Sequence, residues 1–251
     1  MRPYQVYATN AVLEAVKQAD FELPINKLGY IWHTTGSGKT ITSFKTAWLA
    51  SRLPQVDKVV FVVDRIALTK QTESSYKAYD PEGSIEVEGR YINAVSGTEN
   101  TRALRRKLNE KGNGIIVTSV QKLIHLVKQK NFKVPNKHFV FIVDEAHRST
   151  CGDSFKKLQE AFTGAAWVGY TGTPMFDAKG NVSKNLTKDI FGSLLHAYTI
   201  REAIADKNVL GFKVDFETTI PEEAIKDTYL PAFYKQKHPN WTDGDIQEKI
   251  N

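Results

Sequence analysis

Only one cysteine, Cys151, occurs in 251 residues. No internal disulfide is available, and such thiol usage suits a reducing compartment, the cytoplasm by default. No apolar run approaches the roughly 18 residues of a membrane span, and the first twenty residues mix Arg2, Glu14, Lys17 and Asp20 with scattered apolar positions. Neither export nor membrane insertion is expected. Internal repeats and low-complexity stretches are missing, so repeat architectures are not expected. Near His147 only Cys151 stands at zinc spacing, too few ligands for a structural zinc there. Charge of one sign is not in great excess either. The 34 Lys and Arg face 28 Asp and Glu, a net +6 that permits a polyanionic partner without demanding one.

What is present is an alternation. Short apolar runs rich in β-branched residues span Gly29–His33, Val59–Val63, Ile115–Thr118, Phe139–Val143 and Ala166–Tyr170, each ending at a polar or glycine-rich turn. Runs of this kind read as strands buried on both faces of a parallel sheet. Between them, Thr40–Leu53, Leu68–Tyr79, Thr101–Glu110 and Phe155–Phe162 have helical period. The expected fold class is α/β with a doubly wound, mostly parallel sheet. Asp80–Gly89 is polar, with Pro81 and two glycines, and reads as a loop or a β excursion. After Gly211 the character changes: Phe212–Ile220 alternates like a strand, and Pro221–Asn251 is polar with three prolines. The expected division is residues 1–213 as the main domain and 214–251 as an exit strand and polar helical segment.

The first strand runs into Thr34-Thr35-Gly36-Ser37-Gly38-Lys39-Thr40, and a helix opens at Ile41. A turn without side-chain bulk lets backbone N–H groups of residues 36 to 40 converge on an anion, and a helix N-terminus adds partial positive charge. Lys39 would reach the β- and γ-phosphates of a nucleotide, and the Thr40 hydroxyl would ligate magnesium. The pattern G-x-x-x-x-G-K-[ST] puts a glycine where this chain has His33, so the match is partial. Further on, the apolar Phe139–Val143 delivers Asp144-Glu145-Ala146-His147 at its carboxyl end, the edge where open α/β sheets place ligands. In isolation an Asp-Glu pair reads as a solvated acidic turn. Coupled to the upstream loop, Asp144 reads as a magnesium ligand and Glu145 as the group that orients or deprotonates water.

With these motifs the chain resembles the superfamily 2 helicase-like ATPases, whose members read Asp-Glu-Ala-His or close variants at this step. That resemblance implies a RecA-like P-loop domain that uses ATP and Mg2+. It makes Arg2-Pro3-Tyr4-Gln5 similar to the adenine-recognising segment, with Gln5 as the base-reading amide and Tyr4 or Arg2 nearby. Thr35, Gly36, Ser37, Gly38, Lys39 and Thr40 become the phosphate cradle. Val63-Asp64-Arg65 and Val117 to Lys122 resemble blocks that touch nucleic-acid backbone, with Arg65, Thr118, Ser119 and Gln121 as the contacts. Thr171-Gly172-Thr173-Pro174 resembles the block that couples hydrolysis to movement through Thr171 and Thr173, and His147 becomes a relay of nucleotide state.

A narrower resemblance is to the motor subunit of type I restriction enzymes. It is carried by Trp32 to Thr40 including His33, by Asp144 to Ser149, and by Phe191-Gly192 through His196-Ala197-Tyr198-Thr199-Ile200 followed by Val209 to Asp215. It implies the first half of an ATP-driven translocase of double-stranded DNA, docked on modification and specificity subunits. In that family a nuclease domain precedes the motor and a second motor half completes the ATP site, so this stretch alone is expected to hydrolyse ATP poorly. Alternatives are another superfamily 2 remodeller or a non-catalytic nucleotide-dependent nucleic-acid-binding module. Outside the motifs, the basic run Arg102, Arg105, Arg106, Lys107 reads first as a solvated helix face. Lys128, Lys130 and Lys133 read as a solvated turn, Cys151 as an incidental thiol, and Trp32, Trp48 and Trp167 as packing.

Overall fold

The computed structural model describes residues 1–64, 66–80, 84–87, 90–93, 95–146, 153–175, 187–211 and 225–250. By contacts the chain divides into two compact units, Met1–Leu210 and Gly211–Asn251.

The first unit is built on β1 (Asn26–His33), β2 (Lys58–Val63), β5 (Val95–Gly97), β6 (Ile115–Ser119), β7 (Phe139–Val143), β8 (Ala166–Thr171) and β9 (Leu194–Tyr198). These seven form one sheet in the order β5-β6-β2-β7-β8-β1-β9, and all of its pairings are parallel. The expected mostly parallel sheet is therefore wholly parallel. The only antiparallel pair among the described residues is a separate hairpin of β3 (Ser84–Val87) and β4 (Arg90–Asn93), inside the polar stretch read as a loop or β excursion. Every residue of β2, β6, β7 and β8 is buried, the expected state of strands covered by helices on both faces.

Alternate residues supply the two cores, because successive side chains leave opposite faces of a strand. Val59, Phe61, Val140, Ile142, Val168 and Tyr170 join Ala8, Val12 and Val16 of α1 (Pro3–Lys17), Phe44 and Ala47 of α2 (Lys39–Ala50) and Tyr76 of α3 (Ile66–Tyr79) on one side. Val60, Val62, Phe141 and Trp167 join α4 (Thr101–Asn109), α5 (Val120–Val127), α6 (Asp153–Ala161) and α7 (Thr187–Phe191) on the other. Trp167 is a core residue as expected, stacked on Phe141 with 4.0 Å between centroids; such a pair adds about 0.5–1.5 kcal/mol beyond its buried area. Trp48 packs against the core as expected, and its ring also lies under Lys45 and Arg52.

Topology places the site. The chain leaves β1, crosses two strands through α2 to reach β2, and returns to put β8 and β9 on either side of β1. Ligands in doubly wound sheets gather outside the strand carboxyl ends where the direction of winding reverses. Here those ends are His33, Val143, Thr171 and Tyr198.

The second unit contains a π-helical turn (Ile225–Tyr229) and helices Leu230–Lys237 and Asp243–Ile250. The expected strand Phe212–Ile220 lies outside the described residues. No helix among the described residues is long and apolar enough to cross a membrane.

Candidate active site

The turn after β1 is wound by two left-handed glycines, Gly36 at φ 82° and Gly38 at φ 79°. Gly38 is the residue preceding α2, and a Cβ there would stand 2.7 Å from Gln5 Nε2 as well as in strained backbone, so its type is dictated twice over. Ser37 is buried, its hydroxyl donating to Thr34 O at 2.6 Å, whereas Thr35, Gly36, Gly38 and Thr40 are exposed. The result is an open concave backbone at the N-terminus of a 12-residue helix, an arrangement that attracts anions.

The N-terminal segment holds that turn in place. Tyr4 Oη donates to Ser37 O at 2.6 Å. Gln5 Nε2 faces Ser37 O at 3.2 Å and Gly38 O at 3.5 Å, while Gln5 Oε1 accepts from Arg2 N at 2.8 Å and so caps α1. Both ends of the Gln5 amide are engaged with backbone. The amide expected to read a base braces the loop in this structure.

The acidic turn follows β7. Asp144 N donates to Val62 O at 2.9 Å, Glu145 N to Asp144 Oδ1 at 3.0 Å and Ala146 N to Tyr170 O at 3.0 Å. Glu145 sits at φ 48°, in the left-handed region that a non-glycine residue enters at a cost of order 1 kcal/mol or more and that concentrates at functional sites. Burial and the neighbouring Glu145 carboxylate raise the Asp144 pKa to about 6, against the pull of the Glu145 amide and of Lys39. Lys39 and Asp144 are thus electrostatic neighbours, although they come from opposite ends of the domain sequence.

Between them lies the turn after β8. Thr171 is fully buried, and its Oγ1 accepts from Thr173 N at 3.1 Å. A Cβ on Gly172 would meet Lys39 Nζ at 3.3 Å, His33 O at 3.4 Å and Thr35 Oγ1 at 3.5 Å. The phosphate loop and this turn therefore crowd each other, and glycine makes the room. Trp32, read as packing, donates from Nε1 to Gly172 O at 3.1 Å and ties the same turn to β1.

Beneath the site, Thr46 Oγ1 lies 2.8 Å from Tyr170 Oη and 3.3 Å from Thr9 Oγ1, and Tyr76 Oη donates to Ser43 Oγ at 3.0 Å. Burial holds the Tyr170 phenol well above its ordinary range, and the Asp144 charge adds to this. His33 is fully buried; burial, His196 and Lys39 push its pKa down to about 3, so the imidazole is neutral.

The strand-end residues on β6 are placed differently. Thr118 is fully buried and its Oγ1 accepts from Thr98 Oγ1 at 3.0 Å. Ser119 is also fully buried, and its Oγ accepts from Lys122 N at 3.4 Å as the N-cap of α5. Neither hydroxyl faces solvent; both bond within the fold. Gln121 is exposed and donates to Asp64 O at 2.7 Å. Arg65, His147 and Cys151 lie outside the described residues. Among the described residues no group of three or more His, Cys, Asp or Glu is arranged to hold a metal ion.

A family model described as SWI2/SNF2 ATPase matches residues 4–247. The chain belongs to the SWI2/SNF2 ATPase family. This ATPase domain is 42% identical over 234 residues to a type I restriction enzyme endonuclease subunit of Staphylococcus aureus (strain MSSA476), covering 90% of this chain and 23% of that protein. It is an ATPase domain of the kind carried by such subunits and spans about a quarter of their length. Among solved structures, a nuclease-deletion mutant of the type ISP restriction-modification enzyme LlaGI in complex with a DNA substrate mimic matches with a TM-score of 0.55 at 18% identity, over 94% of this chain and 22% of that one. The Sulfolobus solfataricus SWI2/SNF2 ATPase core in complex with dsDNA matches with a TM-score of 0.50 at 17% identity, over 81% and 38%. At those identities the likeness is one of fold, and that fold is the RecA-like helicase ATPase core expected from the motifs.

Proposed function

We propose that this ATPase domain is the ATP-binding half of a double-stranded DNA translocase within a type I restriction endonuclease. The observation that carries the reading is the meeting of the glycine-wound loop, the Asp144-Glu145 turn and the Thr171–Thr173 turn at the carboxyl edge of adjacent strands β1, β8 and β7. ATP is the substrate: backbone amides of residues 36 to 40 cradle its phosphates, and Lys39 neutralises charge on the β- and γ-groups.

The donor set suits Mg2+, a hard cation that takes oxygen ligands and keeps several waters. The Thr40 hydroxyl and Asp144 carboxylate would hold it, and when bound it supplies charge neutralisation on the phosphates. Glu145 orients and deprotonates the attacking water. Thr171 and Thr173 couple phosphate state to the turn that touches Lys39, with His147 completing the relay. Gln121, in the first turn of α5, and Arg65 are the candidates for gripping DNA backbone. The modification and specificity subunits are the proposed partners, and the cytoplasm the proposed location.

Lys39→Ala in the full-length protein tests the site. Calorimetry with ATP is expected to show at least a hundredfold loss of affinity; wild-type affinity would overturn the assignment.

A further inference from the structure

β9 carries residues to which the reading above gives no role, yet it lies directly against the phosphate loop. It pairs with β1 so that His33 is opposite Tyr198, and Thr34 N donates to Tyr198 O at 3.0 Å. Tyr198 is buried and stacks face to face on Tyr4, with 3.6 Å between centroids and 3° between planes. Its hydroxyl donates to Asp206 Oδ2 at 2.9 Å and accepts from Asn208 Nδ2 at 2.6 Å. Tyr4 in turn bonds Ser37 O within the loop.

A second line runs beside the first. His33 Nε2 lies 3.0 Å from His196 Nδ1, and His33 Nδ1 is buried without a hydrogen-bond partner. One proton is shared across the 3.0 Å contact. Were His196 the donor, neutral His33 would carry its own proton on Nδ1, a buried N–H with no acceptor. With His33 as donor, Nδ1 is a bare lone pair, the omission that folded proteins tolerate more readily. His33 therefore holds its proton on Nε2 and donates to His196. Two side-chain lines thus run from β9 to the loop, at the place where the usual pattern has a glycine.

We propose that His196 and Tyr198 are positioning residues for nucleotide binding, fixing the phosphate loop through His33 and Tyr4. The proposal rests on the loop being the nucleotide site. The test is calorimetry with ATP and magnesium on the full-length protein, comparing wild type with Lys39→Ala, His196→Ala, His196→Asn, Tyr198→Ala and Tyr198→Phe. His196→Ala and Tyr198→Ala are expected to weaken binding about tenfold. His196→Asn keeps an amide oxygen where Nδ1 stood, and Tyr198→Phe keeps the stack, so both are expected within threefold of wild type. Nitrogen-15 spectra of the wild-type imidazoles give a readout that needs no variant to fold, and should show His33 protonated on Nε2. Lost binding in Lys39→Ala with wild-type affinity in both alanine variants rejects the positioning role alone. Equal weakness of His196→Asn and His196→Ala, or an Nδ1-protonated His33, also overturns it. Wild-type binding in Lys39→Ala instead rejects the nucleotide site itself.

Discussion

The carboxyl edge of the sheet has two halves built on different rules. Around β1, β8 and β7, polar side chains brace backbone: Tyr4 and Gln5 hold Ser37 and Gly38, and Trp32 holds Gly172. The exposed residues left in the loop are Thr35, Gly36, Gly38 and Thr40. At β6 the hydroxyls of Thr118 and Ser119 are themselves buried and used for packing and capping. Position in the strand order thus decides whether the polar groups of a strand-end block brace an open backbone turn or serve packing and capping, although Thr171 at the end of β8 is as buried as Thr118 and Ser119. Changes in the first half should move ligand affinity, and changes in the second should move stability.

Among substitutions that compare the two halves, the largest effect is expected at Gly38. Gly38→Ala must place a Cβ against Gln5 Nε2 in left-handed backbone, so ATP affinity measured by calorimetry should fall at least about thirtyfold, roughly 2 kcal/mol. Near-wild-type affinity would remove the distinction between the halves.

Next is an exception within the first half, where a buried group does bear on stability. The His33 pKa is held near 3 in the fold against about 6.5 in an unfolded chain. Between those values the unfolded state binds the extra proton, so the stabilising contribution is fully present above about pH 6.5 and is lost as pH falls toward 3. Denaturant titrations should show wild type losing about 1.5 kcal/mol more than His33→Gln between pH 6.5 and pH 5. Parallel curves would contradict a neutral, buried imidazole.

The second half gives the smallest effects. Ser119→Ala removes an N-cap and should cost about 1 kcal/mol in thermal or denaturant unfolding, with DNA affinity unchanged within twofold. Gln121→Ala should do the reverse, weakening DNA binding two- to fivefold in filter or anisotropy titrations with stability unchanged. If Ser119→Ala weakened DNA binding as much as Gln121→Ala, the two halves would not differ in the way described.

The strands were legible wherever burial on both faces made a continuous apolar run. Phe139–Val143 coincides with β7 as expected, and Ala166–Tyr170 falls one residue short of β8. Edge strand β9 was visible only as a family block, because an edge strand with Leu194 nearly half exposed carries no such run. α1 escaped because Gln5 and Thr9 interrupt its buried stripe of Ala8, Val12 and Val16. The loop and the acidic turn were legible because backbone geometry and charge dictate residue type there. What sequence did not yield was which groups meet across 163 positions, as His33 and His196 do. That follows from β1 lying between β8 and β9, and strand order leaves no mark on local pattern. For the same reason the burial of Thr118 and Ser119 shows only once the sheet is assembled around them.

The central claim is that Glu145, in its left-handed backbone beside Asp144, serves turnover and not binding. It is tested most directly by ATP hydrolysis by Glu145→Gln in the full-length protein, measured with DNA present and with ATP affinity determined in parallel. The account predicts affinity within threefold of wild type and a rate at least a hundredfold lower; wild-type hydrolysis by this variant would contradict it.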